Sequence, residues 1–494
     1  MAPETMSTYL FYDVETTGLN VAFDQVLHFA ALRTDEQFNV VDEYDIRVQL
    51  RPDVIPAPEA TITHGISVEE ARDAPTTEVD AIRRIHVLMN EPGTTSIGYN
   101  SIGFDDEMLR FAFYRNLLTP YTHQYANGCG RMDLYPMAVM YWLAGSEALL
   151  WPTDEEGAFK LEQLARANHF DDHPDHRDHN ARSDVRVTLE LARAMAEDAE
   201  RWDELGAMFT KDMDEAQMNA LPTFDIGDES YSVALIIDGS FGPENNYQRP
   251  VIKLGGHRHY TNQSIWLALD TPALPGVASR PIRPNTEVIR RKLGVPEYLV
   301  PSGDDAYDRL DDRRRTIVQK NLTWLRKHPD QFQQIVGYYL ESTYTKVPNL
   351  DPDAALYQQD FFTDEQKALF AEFHTLDSVR ERARFVRRFD ASHLRTLALR
   401  LIIRNTPQAT WPDSVASYAR SYMRHVDPHT ASDVLIDHRG NDRRTPADAL
   451  RDLDVLREQG FDGEPLTDDQ RTLLNELEAY IKTQFDVYKS YRFA

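Results

Sequence analysis

The chain has 494 residues, 41% hydrophobic and 10% aromatic, with a formal net charge of -27; this composition excludes a disordered polypeptide and, at roughly 100–200 residues per domain, allows about three domains. A single cysteine, Cys129, excludes internal disulfides and multi-cysteine zinc sites; no apolar run reaches the roughly 18 residues of a membrane span, and "MAPETMSTYL" lacks a basic and apolar leader, so a soluble cytoplasmic protein is expected. The negative sum argues against a phosphate-bearing partner, but ligands respond to the local field, and basic clusters occur at 289–292, 313–315 and 380–388.

In chain order, "STYLFYDVET" is an apolar, aromatic-rich strand ending in carboxylates, and "VLHFAALRTDEQFNVVDEYDIRVQL" reads as two strands around a polar turn. "EVDAIRRIHVLMN" has helical spacing, "TSIGYN" is a short strand, "DDEMLRFAFYRNLL" is again helical, and "SDVRVTLELARAMAEDAERWDEL" is a long helix. Such alternation predicts a sheet flanked by helices over residues 1–200. From 201 to 350, "SYSVALIIDGSFG", "PVIKLGGHRHY" and "QSIWLALD" are short strands between turn residues, a β-rich domain followed by the helix "DDRRRTIVQKNLTWLRKH". The proline-punctuated "TKVPNLDPDAALYQQ" marks a boundary, and 351–494 is a series of amphipathic helices, several opening on Ser, Thr or Asp. Aspartate dominates the acids and arginine the bases, which reads as adaptation to a salty cytoplasm.

Three short patterns carry chemistry. Asp13 and Glu15 lie two apart at a strand end, so both carboxylates face the same way and can bind a hard divalent cation. The "TTGL" that follows is a turn that admits close approach of a substrate to the backbone. In "GYNSIGFDDEM", Asn100 is followed by Phe104 and Asp105 at a strand-to-helix transition; Asp106 and Glu107 are explained by the helix macrodipole alone. In "HNARSD", five residues of one ideal helix would leave His179 and Asp184 roughly 140° apart. Sharing a site therefore requires His179 on the preceding loop and Asp184 within the first turns. His173 and His176, in "DDHPDHRDHN", fall outside that register and read as loop residues.

As an ordered set, D-x-E, N-x-x-x-F-D and H-x-x-x-x-D resemble the DEDDh family of 3′→5′ exonucleases, with "TITHGIS" (61–67) similar to that family's loop after the early strands. Stand-alone members are little longer than the first domain. "GYNSIGFDDEMLRFAFYRNLLTPY", "FKLEQLARAN", "DGSFG" and "FFTDEQKALF" resemble bacterial exodeoxyribonuclease I across nearly the whole chain. The resemblance implies a ribonuclease H-like exonuclease domain with a mixed sheet (1–200), an SH3-like β domain (201–350) and an α-helical C-terminal domain (351–494). It implies processive degradation of single-stranded DNA from the 3′ end to 5′-mononucleotides, in DNA repair and recombination, by a monomer.

It also implies residue roles. Asp13, Glu15 and Asp184 would ligate one Mg²⁺, Asp13 would bridge to a second, and Asp105 would hold that second ion; Mn²⁺ can substitute. His179 would be the general base for the attacking water. Glu15 and Lys160 would contact the terminal nucleotide, at a position where this family can have arginine instead of Lys160; Arg110 would bind phosphate, and Tyr121 and Tyr125 would stack on bases. Phe241, Tyr247, His257, Arg258 and Trp266 are candidates to extend the DNA groove. The implied protein partner is single-stranded-DNA-binding protein, through its acidic C-terminal tail. Two competing readings share these residues: a DEDDh enzyme acting on RNA 3′ ends or proofreading, and a non-catalytic single-strand-binding scaffold. The extra domains distinguish the first, and the presence of all four acids and the histidine argues against the second.

Overall fold

The structure is a computed structural model that describes residues 7–152, 159–170, 181–295, 297–344 and 346–489. Its first sheet holds β1 (Thr8–Thr16), β2 (Val26–Thr34), β3 (Val40–Arg47), β4 (Thr94–Gly98) and β5 (Gly130–Asp133) in the order β3-β2-β1-β4-β5. β1, β2 and β3 form an antiparallel meander, while β4 and β5 run parallel to β1. The sheet is therefore mixed, as the family resemblance implies. Between β3 and β4 lie α1 (Pro58–His64), α2 (Val68–Arg72) and α3 (Glu78–Met89); α4 (Asp105–Arg115) joins β4 to β5. After β5 come α5 (Leu134–Leu143), α6 (Leu161–Ala167), α7 (Ala181–Ala196), α8 (Ala199–Ala207) and α9 (Lys211–Ala220).

β1 is central, and its side chains divide by the two-residue period of a strand. Leu10, Tyr12 and Val14 join the core that holds α3 and α4. Phe11 joins the opposite core, where Ala181, Val185, Leu189, Ala192 and Met195 make one stripe of α7. Asp13 and Glu15 share the register of Phe11, so they point to the face that α7 covers. "TITHGIS" has a local explanation: α1 ends on Gly65 at φ 69°, and Ser67 caps α2 in a reciprocal pair with Glu70.

A second sheet, antiparallel throughout, contains β6 (Thr223–Ile226), β7 (Glu229–Ile237), β8 (Gln248–Gly256), β9 (Gln263–Ala268), β10 (Val288–Lys292) and β11 (Tyr298–Val300). Its order is β10-β9-β8-β7-β11, with β6 paired to β7. α10 (Asp312–Lys327) and α11 (Pro329–Glu341) cover one face through Leu325, Phe332, Ile335 and Tyr339. The aromatic and basic residues expected to line a DNA groove here are largely internal. Trp266 is fully buried, Tyr247 and His257 nearly so, and Arg258 pairs with Glu341 on the surface. For the three buried side chains the groove role is corrected: burial of apolar area explains Trp266 and Tyr247, and His257 bonds the Ser342 carbonyl at 2.7 Å. The basic clusters are partly internal too. Arg291 forks onto Asp214 as a buried pair, and the buried Arg314 donates to the half-buried Asp270.

The remaining helices are α12 (Asp364–Thr375), α13 (Val379–Phe385), α14 (Ser392–Asn405), α15 (Asp413–Val426), α16 (Pro446–Gln459) and α17 (Asp468–Lys489). Their apolar faces close onto the α3–α4 side of the first sheet and share its core. A buried ionic seam crosses this junction. Arg404 bonds Asp53 and Asp353, Arg400 bonds Asp351, Arg51 bonds Glu78 at 2.8 Å, and the Tyr422 hydroxyl donates to Asp53 at 2.7 Å. Burial alone would raise the Asp53 carboxyl, but Arg404, Arg51 and Arg443 hold it well below the usual carboxylate range.

Candidate active site

The carboxyl ends of β1, β4 and β5 open on one side of the first sheet, the place where ligands commonly bind open α/β sheets. β1 delivers Asp13, opposite Ala30 of β2, and Glu15, opposite His28, with a bulge between Glu15 and Thr16. β4 ends at Gly98, beside Asp133 of β5, and a short loop leads to Asp105, the first residue of α4. The described part of α7 opens at Ala181, with Asp184 near that end. The Ala181 N–H bonds the Glu15 carboxylate, which brings the start of α7 against the end of β1. His179 lies outside the described residues.

The acids act on one another. Burial, then Asp105, Asp184 and Glu15, raise Asp13 well above the usual carboxylate range. Burial and Asp184 push Glu15 up to about 7 against the opposing pull of Arg47. Burial also raises Asp105 strongly, with Asp106, Asp133 and Glu15 adding to it. Four carboxylates from β1, α4 and α7 thus share one field, and a divalent cation is the partner that relieves such repulsion. Among the described residues, no three of His, Cys, Asp and Glu close into a metal cage; the set is electrostatically linked and open. Its donors are all oxygen, which fits a hard cation.

Asp106 has a role that the macrodipole reading misses. It is 1% exposed and accepts from Tyr12 Oη at 2.9 Å and Arg131 Nη1 at 2.6 Å. Tyr12 is the neighbour of Asp13, so Asp106 ties the first turn of α4 to the strand that carries Asp13. Asp133 was also silent in the sequence. It is 3% exposed and its carboxylate accepts three backbone N–H groups, from Asn100 (2.8 Å), Ile102 (3.1 Å) and Tyr135 (3.0 Å). Burial nevertheless holds it up at about 6.

The expected DNA contacts separate into two kinds. Lys160 is exposed at the start of α6, and Tyr125 is 67% exposed. Tyr121 is half-buried, edge-on to the exposed Phe361 ring at 5.6 Å. Phe361 was not singled out; its signal was the doubled aromatic that opens "FFTDEQKALF". Arg110, in contrast, is buried and its charge is balanced by Glu107 at 2.6 Å and Asp106 at 3.5 Å. That geometry suits a structural ion pair under Tyr121 better than a phosphate contact.

The family model described as "Exonuclease" matches residues 10–192, a span that includes Asp13, Glu15, Asp105 and Asp184. The chain is 31% identical over 385 residues to the exodeoxyribonuclease I of Escherichia coli K12, covering 73% of this chain and 78% of that protein. Its fold is similar to that of E. coli exonuclease I in complex with a dA16 oligonucleotide, with a TM-score of 0.78 and 25% identity over 97% of this chain and all of that one. It is equally similar, at 0.78 and 25%, to the zinc-bound form of the E. coli enzyme's single-stranded DNA complex, with the same coverage. The ribonuclease H-like arrangement, the following β-rich region and the helical C-terminal region therefore have a solved counterpart over almost the whole length.

Proposed function

The chain belongs to the exodeoxyribonuclease I family and is a 3′→5′ exonuclease of single-stranded DNA; we propose that it hydrolyses that DNA processively to 5′-mononucleotides at the Asp13, Glu15, Asp105 and Asp184 site. The observation that carries the proposal is the convergence of Asp13 and Glu15 at the end of β1 with Asp105 at the start of α4 and Asp184 of α7, acids that burial and one another's charge raise and that are grouped as a cation site requires. The division of labour follows regions 1–200, 201–350 and 351–494.

The family is metal-dependent. Asp13, Glu15 and Asp184 would hold one Mg²⁺, and Asp105 together with Asp13 a second; Mn²⁺ could take either place. When bound, the pair of ions supplies an activated water and stabilises the in-line displacement at phosphorus. The chain's own residues do the rest. His179 accepts the proton of the attacking water, a general-base role that an imidazole can fill. Lys160 holds the terminal phosphate as a point charge and Glu15 borders the terminal nucleotide. Tyr125, and Tyr121 together with Phe361, offer ring faces and edges to the following bases. Arg110 keeps Asp106 and Glu107 in place from beneath.

In this reading the enzyme acts as a cytoplasmic monomer in repair and recombination, and receives coated DNA from single-stranded-DNA-binding protein through that partner's acidic C-terminal tail. No described helix is long and apolar enough to cross a membrane. Asp13→Asn tests the site. The variant should lose nuclease activity while its melting temperature and circular dichroism stay those of a folded chain; a fully active variant contradicts the assignment.

A further inference from the structure

The loop between β4 and α4 decides where Asp105 stands, and it is gripped from β5. Ser101 is its pivot: the Ser101 carbonyl accepts the N–H of Phe104 at 3.3 Å and of Asp106 at 2.9 Å, bracketing Asp105. The residues on either side of the pivot, Asn100 and Ile102, both donate their N–H to the Asp133 carboxylate. Beneath the pivot, a Cβ on Gly98 would lie 2.4 Å from Ser101 Cβ, so the loop folds down onto bare backbone. Asn100 takes φ 56°, an uncommon conformation for a residue with a side chain, which the Asp133 bond helps retain. The third acceptor contact, with Tyr135 N–H, anchors Asp133 itself as the cap of α5.

We infer that Asp133 is a positioning residue for the second-ion ligand Asp105, acting through the backbone of residues 100–104. The inference rests on the reading of Asp105 as that ligand. Asp133 is nearly buried and its carboxylate oxygens already accept backbone donors, so it orients the ligand and makes no contact with DNA. Residues that orient a ligand from behind commonly cost about 10–100-fold in metal affinity or activity when changed.

The isosteric Asp133→Asn keeps the shape. An amide with its oxygen toward Asn100 and Tyr135 turns an NH₂ toward the Ile102 N–H, donor against donor, and the loop must shift. Mn²⁺ binding to the folded, DNA-free protein, followed by calorimetry and by electron paramagnetic resonance, reads the effect. Wild type should bind two ions. Asp133→Asn should keep the tighter and weaken the other by about tenfold or more, with kcat falling while KM for single-stranded DNA holds. A merely structural Asp133 would lower the melting temperature and leave both affinities alone. That result overturns the inference. Gly98→Ala pushes the same loop from below without touching Asp133, so it should weaken the same ion; if the asparagine variant does not fold, two wild-type affinities in Gly98→Ala overturn the inference instead. Asp105→Asn separates the two readings: if it still binds two ions, the reading of Asp105 fails. If it loses one while Asp133→Asn binds both normally, only the positioning role fails.

Discussion

Arg404 of the C-terminal helices donates twice to Asp53 of the exonuclease region, at 2.8 and 3.0 Å across 351 residues of chain, with both side chains almost fully buried. The same carboxylate receives Tyr422 and lies 3.4 Å from Arg443. Asp53 is thus the anion on which several buried cationic and polar groups depend. Asp53→Ala should cost about 3–5 kcal/mol, because it strands buried guanidinium groups without an anion. Urea denaturation reads this directly; a loss below about 1 kcal/mol would mean that water reaches the seam.

Stability should also respond to pH, with the sign set by Glu15. Its carboxyl sits at about 7 in the folded chain against an ordinary 4.5. Between those values the folded protein retains a proton that the unfolded chain has released, so stability falls as pH rises through about 4.5 to 7. The full shift corresponds to about 3–4 kcal/mol at roughly 1.4 kcal/mol per pH unit. A divalent cation acts oppositely, since it binds the ionised acids. The rise in melting temperature on adding Mn²⁺ should therefore be larger at pH 8 than at pH 5.5. An equal rise at both values would contradict a carboxylate site.

Two aromatic residues should separate binding from folding. Phe361 is 83% exposed and meets Tyr121, whereas Trp266 is 0% exposed in the core of the second sheet. Phe361→Ala should weaken single-stranded DNA binding by about 1–3 kcal/mol with an unchanged melting curve. Trp266→Ala should lower stability by about 3–5 kcal/mol and leave the DNA affinity of the folded fraction intact. Fluorescence anisotropy with a labelled oligonucleotide, beside denaturation curves, checks both.

These contrasts show what a sequence can and cannot disclose. Asp13 and Glu15 were legible because a strand repeats every two residues, and Asp184 because of its five-residue spacing from His179. Asp106 is the helix-terminal acid the sequence indicates, but its further role was hidden because its partners, Tyr12 and Arg131, lie 94 and 25 residues away. Asp133 had no signal, since its bonds are to backbone N–H groups that every residue except proline carries. Arg400 and Arg404 fall in a segment that reads only as an amphipathic helix, and the fold alone supplies the acids that pair with them. Trp266, Tyr247 and His257 looked like a groove for the same reason: an aromatic residue in a short strand fits core and surface equally until the sheet has faces.

Lys160 gives a graded test of the substrate path. It is exposed at the N-terminus of α6, so its removal should cost affinity and little stability. Lys160→Ala should raise KM for single-stranded DNA, leave kcat nearly unchanged, and reduce the slope of log affinity against log salt by about one. Lys160→Arg should keep the salt slope of wild type. A loss of kcat without a change in KM would place Lys160 in the chemistry instead.

The most direct measurement follows 5′-labelled single-stranded DNA, duplex DNA and RNA of one sequence over time with Mg²⁺ and an excess of unlabelled trap. The account predicts that single-stranded DNA shortens from its 3′ end to mononucleotides within one binding event, with few intermediate lengths, while duplex and RNA persist. A ladder of distributive products, or faster loss of the RNA, would contradict it.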